Sequence, residues 1–342
     1  MAKYRIIRTT EPSRFKEPII NFWNAYLTNT PSQRFEWLIE GNPAGKTVWI
    51  LAFIEETEEL VGTVSLLPRD VIQNNHISHG AIMGDLMIHK KHRVFGPAIS
   101  LLKNAIKYVA EDSVFDFIYT IPNPDSMKIV DRVGFKKSMT IETYAKPLQL
   151  SNYLKKFLPA LISDKVSPLF ELCLRIFSRE TYLCSKGICE EISLLNEEFD
   201  EVWENITKNG TGIIREHSSD YIKWRYMHNP FLNFRMLAYR EQKNKSLCGF
   251  LIFKKKENKI TIYDICSLEK KPIEQMFKNL IRIARIEKCQ AIYFAVPSNN
   301  KWPAMLKSYG FFSAKSTMKV YWIDNNKINL ENWGFLEGDR NI

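Results

Sequence analysis

The chain has 342 residues, 45% of them hydrophobic and 25% charged, enough apolar material for one large domain or two ordinary ones and too much for a disordered chain. No uncharged apolar run approaches the roughly 18 residues that cross a bilayer, and the opening MAKYRIIRTTEPSR is charged without an apolar core, so neither a transmembrane segment nor a secretory leader is expected. The net charge of +10 suits an anionic partner, whether a phosphorylated cofactor, an acidic substrate, nucleic acid or a membrane surface, but no Arg/Lys block is long enough to suggest DNA.

In chain order, WLIEGNP (Trp37 to Pro43) leads into β-type alternation in TVWILAFIEE and LVGTVSLLP. GNPAGKT (Gly41 to Thr47) is one residue short of a nucleotide-phosphate loop and precedes a strand instead of following one, so it is set aside. His76-x-x-His79 and His89-x-x-His92 have no cysteine in their half of the chain and read as solvated or anion-facing histidines, with no metal expected. Next comes a strand, AIMGDLMIH, then a loop, KKHRVFGP, then a helix from about Ala98. A helix start exposes unpaired N–H groups and the positive end of its dipole, which together favour phosphate. Gly96 lets the chain bend and a ligand approach, and Pro97 fits the first turn. Arg93, Lys90, Lys91 and His92 add positive charge, so the stretch predicts a pyrophosphate cradle. YTIPNPDSMKIVDRVGF follows, ending at Gly134-Phe135, and a strand in MTIETYAKPL closes this half.

The segment from about 146 to 195 predicts two or three short linking helices, interrupted by Pro159 and Pro168. Lysines beside Leu and Phe also allow a membrane-surface helix there, but docking on the protein's own core is the preferred reading. All six cysteines (Cys173, Cys184, Cys189, Cys248, Cys266 and Cys289) lie in the second half without a Cys-x-x-Cys pair, which suits a reduced, cytoplasmic compartment.

Beyond the linker the first half is echoed. WRYMHNP repeats the Trp-x4-Asn-Pro of WLIEGNP with Trp224 standing 187 residues after Trp37. FRMLAYREQ and LCGFLIFKK match the two strands, IYDICS around Asp264 matches MGDLMI around Asp85, MFKNLI matches LLKNAI, and FAVPSNNKWPAMLKSYGF matches YTIPNPDSMKIVDRVGF. TMKVYWID then matches the closing strand. So many matches in one order predict a duplicated α/β unit. Trp37 and Trp224 read as core anchors. The second copy has lost four residues at the turn, and DICSLEKKPIEQMF contains no glycine. One cofactor site, in the first half, is expected.

Arg93-Val94-Phe95-Gly96-Pro97-Ala98 resembles the Arg/Gln-x-x-Gly-x-Gly/Ala loop of the GNAT acyltransferases, within DLMIHKKHR and the strand–loop–helix–strand–helix–Gly-Phe order of that family. The resemblance covers about residues 5 to 146. It implies an α/β (α+β) fold of two tandem GNAT-like domains, each a mixed, mostly antiparallel twisted sheet flanked by helices. The expected division is 1–146 for the acyl-CoA-binding domain, 147–195 for a helical linker, 196–330 for a degenerate second domain and 331–342 for a tail. It further implies acetyl-CoA or another acyl-CoA as cosubstrate, with Ile88, Arg93, Val94, Phe95, Gly96, Pro97, Ala98 and Asn123 as binding residues. Asn123 reads equally as the residue of an Asn-Pro turn.

The implied reaction is attack of an amine on a thioester. It calls for a base, an oxyanion donor and an acid for the thiolate. Asp85 is the candidate base, or else a capping or ion-paired carboxylate, and the backbone N–H groups of Met87 to His89 are the oxyanion candidates. The family's thiol-protonating tyrosine would fall four residues before Gly134, where Val130 stands, and at Leu306 in the second copy. Tyr119 is the substitute acid, or a core tyrosine. The acceptor is expected to be a small amine such as an amino sugar, a polyamine or an amino acid. Two other readings remain: a Fem-type transferase drawing aminoacyl groups from tRNA, and a non-catalytic acyl-CoA sensor.

Overall fold

The apolar runs pair into thirteen strands, β1 (Tyr4–Thr9), β2 (Val48–Ile54), β3 (Leu60–Gln73), β4 (His76–Ile88), β5 (Phe117–Thr120), β6 (Lys136–Pro147), β7 (Ile188–Ile192), β8 (Ile213–Arg215), β9 (Arg235–Arg240), β10 (Leu247–Lys256), β11 (Lys259–Cys266), β12 (Ala291–Pro297) and β13 (Phe312–Asp324). The helices are α1 (Lys16–Tyr26), α2 (Ser32–Glu40), α3 (Phe95–Ala110), α4 (Pro124–Arg132), α5 (Ser151–Leu154), α6 (Ala160–Ile176), α7 (Glu197–Asn209), α8 (Ser219–Ile222), α9 (Lys270–Ile286) and α10 (Trp302–Ser308). The computed structural model describes residues 3–340 apart from 27–31, 74, 94, 113, 156–157, 185–186, 211, 326–327 and 329.

The strands form one sheet in the order β1-β2-β3-β4-β5-β13-β6-β12-β11-β10-β9-β7, with β8 pairing antiparallel along the end of β3. Pairing is antiparallel except at β4–β5 and β11–β12. Parallel neighbours need a crossover, and α3 and α9 supply it. Their apolar positions recur with helical spacing and lie buried, Leu101, Leu102 and Ala105 in α3 and Met276, Phe277, Leu280 and Ile281 in α9.

The two copies anticipated from the repeat are present, but they do not keep separate sheets. The last strand of each pairs with the fifth strand of the other: β13 lies on β5, and β6 lies on β12. β6 and β13 then pair with each other, so the seam is continuous. A pseudo-two-fold relates the copies, and the repeated tryptophans meet across it. Trp37 and Trp224 stack at 5.3 Å between ring centres, 23° apart in plane. Trp37 Nε1 donates to the Trp224 carbonyl at 2.8 Å and Trp224 Nε1 to the Trp37 carbonyl at 3.0 Å. The asparagine of each motif makes a turn. Asn42 Oδ1 accepts from Ala44 N–H, and Asn229 Oδ1 from Phe231 and Leu232 N–H.

Two expectations for the segment 147–195 change. Pro168 does not end a helix; it lies inside the 17-residue α6. The outward side of α6 is apolar and exposed, so the helix does not dock on the core through its apolar face as preferred above. β7 also falls within this segment, paired with β9 as β1 is with β2, and so acts as the first strand of the second copy.

Trp224→Ala should cost roughly 3–5 kcal/mol through the cavity, the lost stack and an unpaired Trp37 carbonyl. Urea titration followed by far-UV circular dichroism measures it, and a loss under about 1 kcal/mol would show that the paired indoles do not hold the halves together.

Candidate functional site

β4 and β5 pair only from Gly80–Ile82 to Phe117–Tyr119 and then diverge. A β-bulge adds to the separation. Thr63 faces Met87 while Ser65 faces Gly84, so β4 carries one extra residue there. Asp85 sits in the bulge with a left-handed φ of 51°. The conformation is held by its own polar groups: Thr63 Oγ1 donates to the Asp85 carbonyl at 2.9 Å and Ser65 Oγ to its Oδ2 at 2.7 Å.

A cavity of about 690 Å³ opens at the divergence. β4 from Ile82 to Ile88 forms one wall, Thr120 to Asn123 the other, and Ala98, Ile99, Asp125 and Ser126 bring the first turns of α3 and α4 to its rim. Arg93 lines it as well, its Nε donating to the Ile88 carbonyl at 3.3 Å. The Lys90–His92 turn just ahead of α3 carries exposed lysines. Helix geometry leaves the amides of the first turn of α3 without intrahelical acceptors, so the rim is electropositive.

The candidate residues fare differently. Ile88, Arg93, Ala98 and Asn123 line the cavity. Gly96 is exposed at the start of α3, and among the described residues beyond its chain neighbours an added Cβ would meet only Tyr4 Cε2, at 3.6 Å. Its backbone is not left-handed, so the glycine is not needed for the bend; the open space beside it is what a side chain would fill. Pro97 is buried in the first turn. Val94 lies outside the described residues, and Phe95 is described by its backbone alone. Asn123 caps α4, its Oδ1 accepting from Ser126 N–H at 2.8 Å, so the turn role is present at a cavity-lining position. Of the oxyanion candidates, His89 N–H is used by the Val61 carbonyl. Strand alternation then turns the Ile88 N–H away from β3, toward the cleft.

Asp85 lines the cavity with its carboxylate ion-paired. Arg34 Nη2 lies 3.0 Å from Oδ1, both side chains are nearly buried, and the guanidinium stacks 4.8 Å from the Trp23 ring. Arg34 carried no signal in the sequence, because its partner is 51 residues away and only the bulge turns Asp85 toward it.

Tyr119 is corrected. It is fully buried, does not line the cavity, and donates to the Asp339 carbonyl at 2.7 Å. Trp333 packs edge-on against it at 4.8 Å. Burial, and after it the nearby Asp339 charge, pushes its hydroxyl well above the ordinary tyrosine range. It is a core tyrosine and no acid for a thiolate. Val130 does line the cavity, so a hydrocarbon occupies the place of the usual acid.

The corresponding cleft of the second copy is filled. β11 and β12 pair from Lys259–Ile262 to Ala291–Phe294 and part beyond, with a bulge at Tyr263. The tail turn Glu337–Asp339 packs between them. Arg215 Nη1 holds Asp339 at 2.9 Å, and Arg225 Nη2 donates to the Gly338 carbonyl at 3.1 Å. Asp264, the counterpart of Asp85, is wholly buried and bonded to His217 at 2.8 Å and Tyr226 at 2.6 Å. Burial alone would raise its pKa, but Arg215, His217 and Tyr226 hold it below the usual carboxylate range.

Parallel strands splayed around a cavity, with a helix start at its rim and the unit built twice, define a tandem acyltransferase-type fold. Residues 13–135 match the family model of the acetyltransferase (GNAT) family, and the first half of the chain is a GNAT domain. Solved structures superpose on nearly the whole chain. A conserved protein of unknown function from Enterococcus faecalis V583, described as a probable N-acyltransferase, gives a TM-score of 0.67 at 13% identity over 96% of this chain and 74% of that one. N-myristoyltransferase from Saccharomyces cerevisiae with bound myristoyl-CoA gives 0.58 at 12%, over 95% and 79%. A tandem GNAT protein from the clavulanic acid biosynthesis pathway gives 0.57 at 10%, over 94% and 98%. At these identities the likeness is one of fold. A search of curated proteins gives no match. No helix among the described residues is long and apolar enough to cross a membrane.

Asp85→Asn removes the charge facing a nearly buried arginine, and a loss of about 3 kcal/mol is expected in chemical denaturation. A variant as stable as the wild type would mean the ion pair contributes nothing. Tyr119→Phe should cost about 1 kcal/mol, leaving the Asp339 carbonyl unpaired, while CoA binding stays at the wild-type level. A loss of CoA affinity without a loss of stability would return Tyr119 to the site.

Proposed function

We propose that the chain is an acyl-CoA-dependent N-acyltransferase, with acetyl-CoA the first donor to test, acting on the amine of a small acceptor. The observation that supports it best is the start of α3, which opens beside the cavity with free space at Gly96 and Arg93 alongside. Among the residues present, the Gly96 and Ala98 amides and Arg93 would hold a pyrophosphate, and β4 from Met87 to Ile88 would lie along the pantetheine arm. Bound acyl-CoA supplies a thioester whose carbonyl carbon accepts the amine. The Ile88 N–H is the donor placed to meet an oxyanion on β4. Asp85, tied to Arg34, positions the bulge that frees this backbone; as a base it would first have to give up a charged partner. Six free cysteines suit a reduced, cytoplasmic setting.

A second reading, a non-catalytic acyl-CoA sensor, is favoured by one observation, the hydrocarbon of Val130 in the acid's place. The aminoacyl-tRNA alternative draws on the tandem fold and the net charge, whereas the helix start at the Arg93–Ala98 loop favours CoA.

Gly96→Val places a branched side chain in open space, so the melting curve should match wild type while calorimetry shows CoA bound at least roughly tenfold more weakly, about 1.4 kcal/mol. Unchanged affinity refutes the cradle. An amine panel with acetyl-CoA then separates the two readings: thiol release with any amine supports transfer, and CoA binding without turnover supports the sensor.

A further inference from the structure

The helix α6 is built inside out. Its inward residues include Ser163 at 0% exposure and Ser167 at 5%, whereas Ile162, Leu169, Phe170, Leu172 and Ile176 are 45–63% exposed and Phe177, just past its end, is 85% exposed. At 3.6 residues per turn the six apolar residues fall on one arc of about 160°. A helix docked on its own core would present the opposite pattern. An exposed apolar face of this kind marks an interaction site, and charge selects the kind of partner. Lys165 is exposed within this arc, between Leu172 and Ile176, and Lys155, Arg175 and Arg179 are exposed outside it. Lys155 is paired with Asp164 and Arg179 with Glu274, while among the described residues neither Lys165 nor Arg175 has an ion pair. Of the acids of α6, Asp164 is thus engaged, and Glu171 accepts the Leu150 N–H at 2.6 Å. Beneath the helix lies a cavity of about 330 Å³ lined by Arg175, Arg285 and Lys146 together with Glu171. Glu180 pairs with both Lys146 and Arg285 at 3.1 and 3.0 Å, which leaves Arg175, among the described residues, as the cation of that lining without an ion pair.

We propose that α6 and Phe177 form a membrane-surface element that lays this apolar face into the headgroup boundary of an anionic bilayer. Apolar side chains rimmed by cations are what such a surface takes up, through area buried and attraction to acidic lipids together. A second copy of the chain is disfavoured as the partner, because an isologous contact repeats the same patch and would enclose two sets of the unpaired Lys165 and Arg175, while the acids of α6, Asp164 and Glu171, are already engaged. The inference does not depend on acyl transfer.

The test is co-sedimentation of the full chain with vesicles of phosphatidylcholine alone or mixed with phosphatidylglycerol. Binding is expected to the mixed vesicles, to weaken with salt, and to fall roughly tenfold or more in Leu169→Ser/Phe170→Ser/Phe177→Ser and also in Lys165→Gln/Arg175→Gln, both with wild-type melting curves. Phe177→Trp gives an independent readout, a blue shift in the emission of the introduced indole on adding mixed vesicles. No binding by the wild type, binding indifferent to these substitutions, or an unshifted emission from that indole overturns the proposal. A dimer in sedimentation velocity that the triple variant turns to monomer, without vesicle binding, would assign the face to a second copy.

Discussion

The molecule depends on the reciprocal contact of Trp37 with Trp224 and on the exchange of final strands around it. A strand edge left unpaired exposes a row of N–H and C=O groups. β5 is only four residues long, and its outer edge is covered by β13, which belongs to the other copy. The wall of the first cleft is therefore finished by residues about two hundred positions downstream, and neither copy keeps its own sheet without the other. The indole pair fixes the register at the pseudo-dyad, since each ring both stacks and donates to its partner's backbone. Arg69 lies 4.8 Å from the Trp224 ring and Arg225 5.9 Å from the Trp37 ring. Burial, with Arg69 nearby, pushes the Arg225 guanidinium below its ordinary value. The cost of such burial is offset in part by the aromatic faces and by the tail carbonyls of Gly338 and Arg340 that Arg225 reaches.

Much of this was written locally in the sequence, and what was not depends on distant parts of the chain. The Trp-x4-Asn-Pro repeat marked both the duplication and its two anchors, because a duplicated unit keeps the residues that meet at its axis. Helix α3 followed from its apolar spacing, with a start expected near Ala98, α4 from the family resemblance, and the stretches of α9 and α10 from their match to α3 and α4 in the repeat. The exchange of β6 and β13 was illegible, since a strand pattern says which face is apolar and nothing about which copy lies alongside. The ion pair of Asp85 with Arg34 was hidden for a related reason: a one-residue bulge decides where a carboxylate points. Tyr119 misled because a tyrosine at the end of a strand looks the same from sequence whether the hydroxyl meets a cavity or a buried carbonyl. α6 misled through the ordinary expectation that apolar helical faces turn inward.

The two clefts show how one backbone plan can be kept open or closed. Both have parallel strands that part and a bulge beside an aspartate. In the first, Asp85 is balanced by a single arginine from α2, and the cavity stays clear. In the second, Asp264 gathers Arg215, His217 and Tyr226, and the chain's own tail fills the gap. The fit there is close enough to dictate composition: a Cβ on Gly338 would come within 2.1 Å of the Tyr226 hydroxyl, which is itself bonded to Asp264. The tail also ties the clefts together, because Asp339 holds Arg215 with its carboxylate and receives the Tyr119 hydroxyl with its carbonyl. Closing the second cleft thus braces β5 of the first from beneath. The open cleft therefore owes the position of one wall to the plugged one.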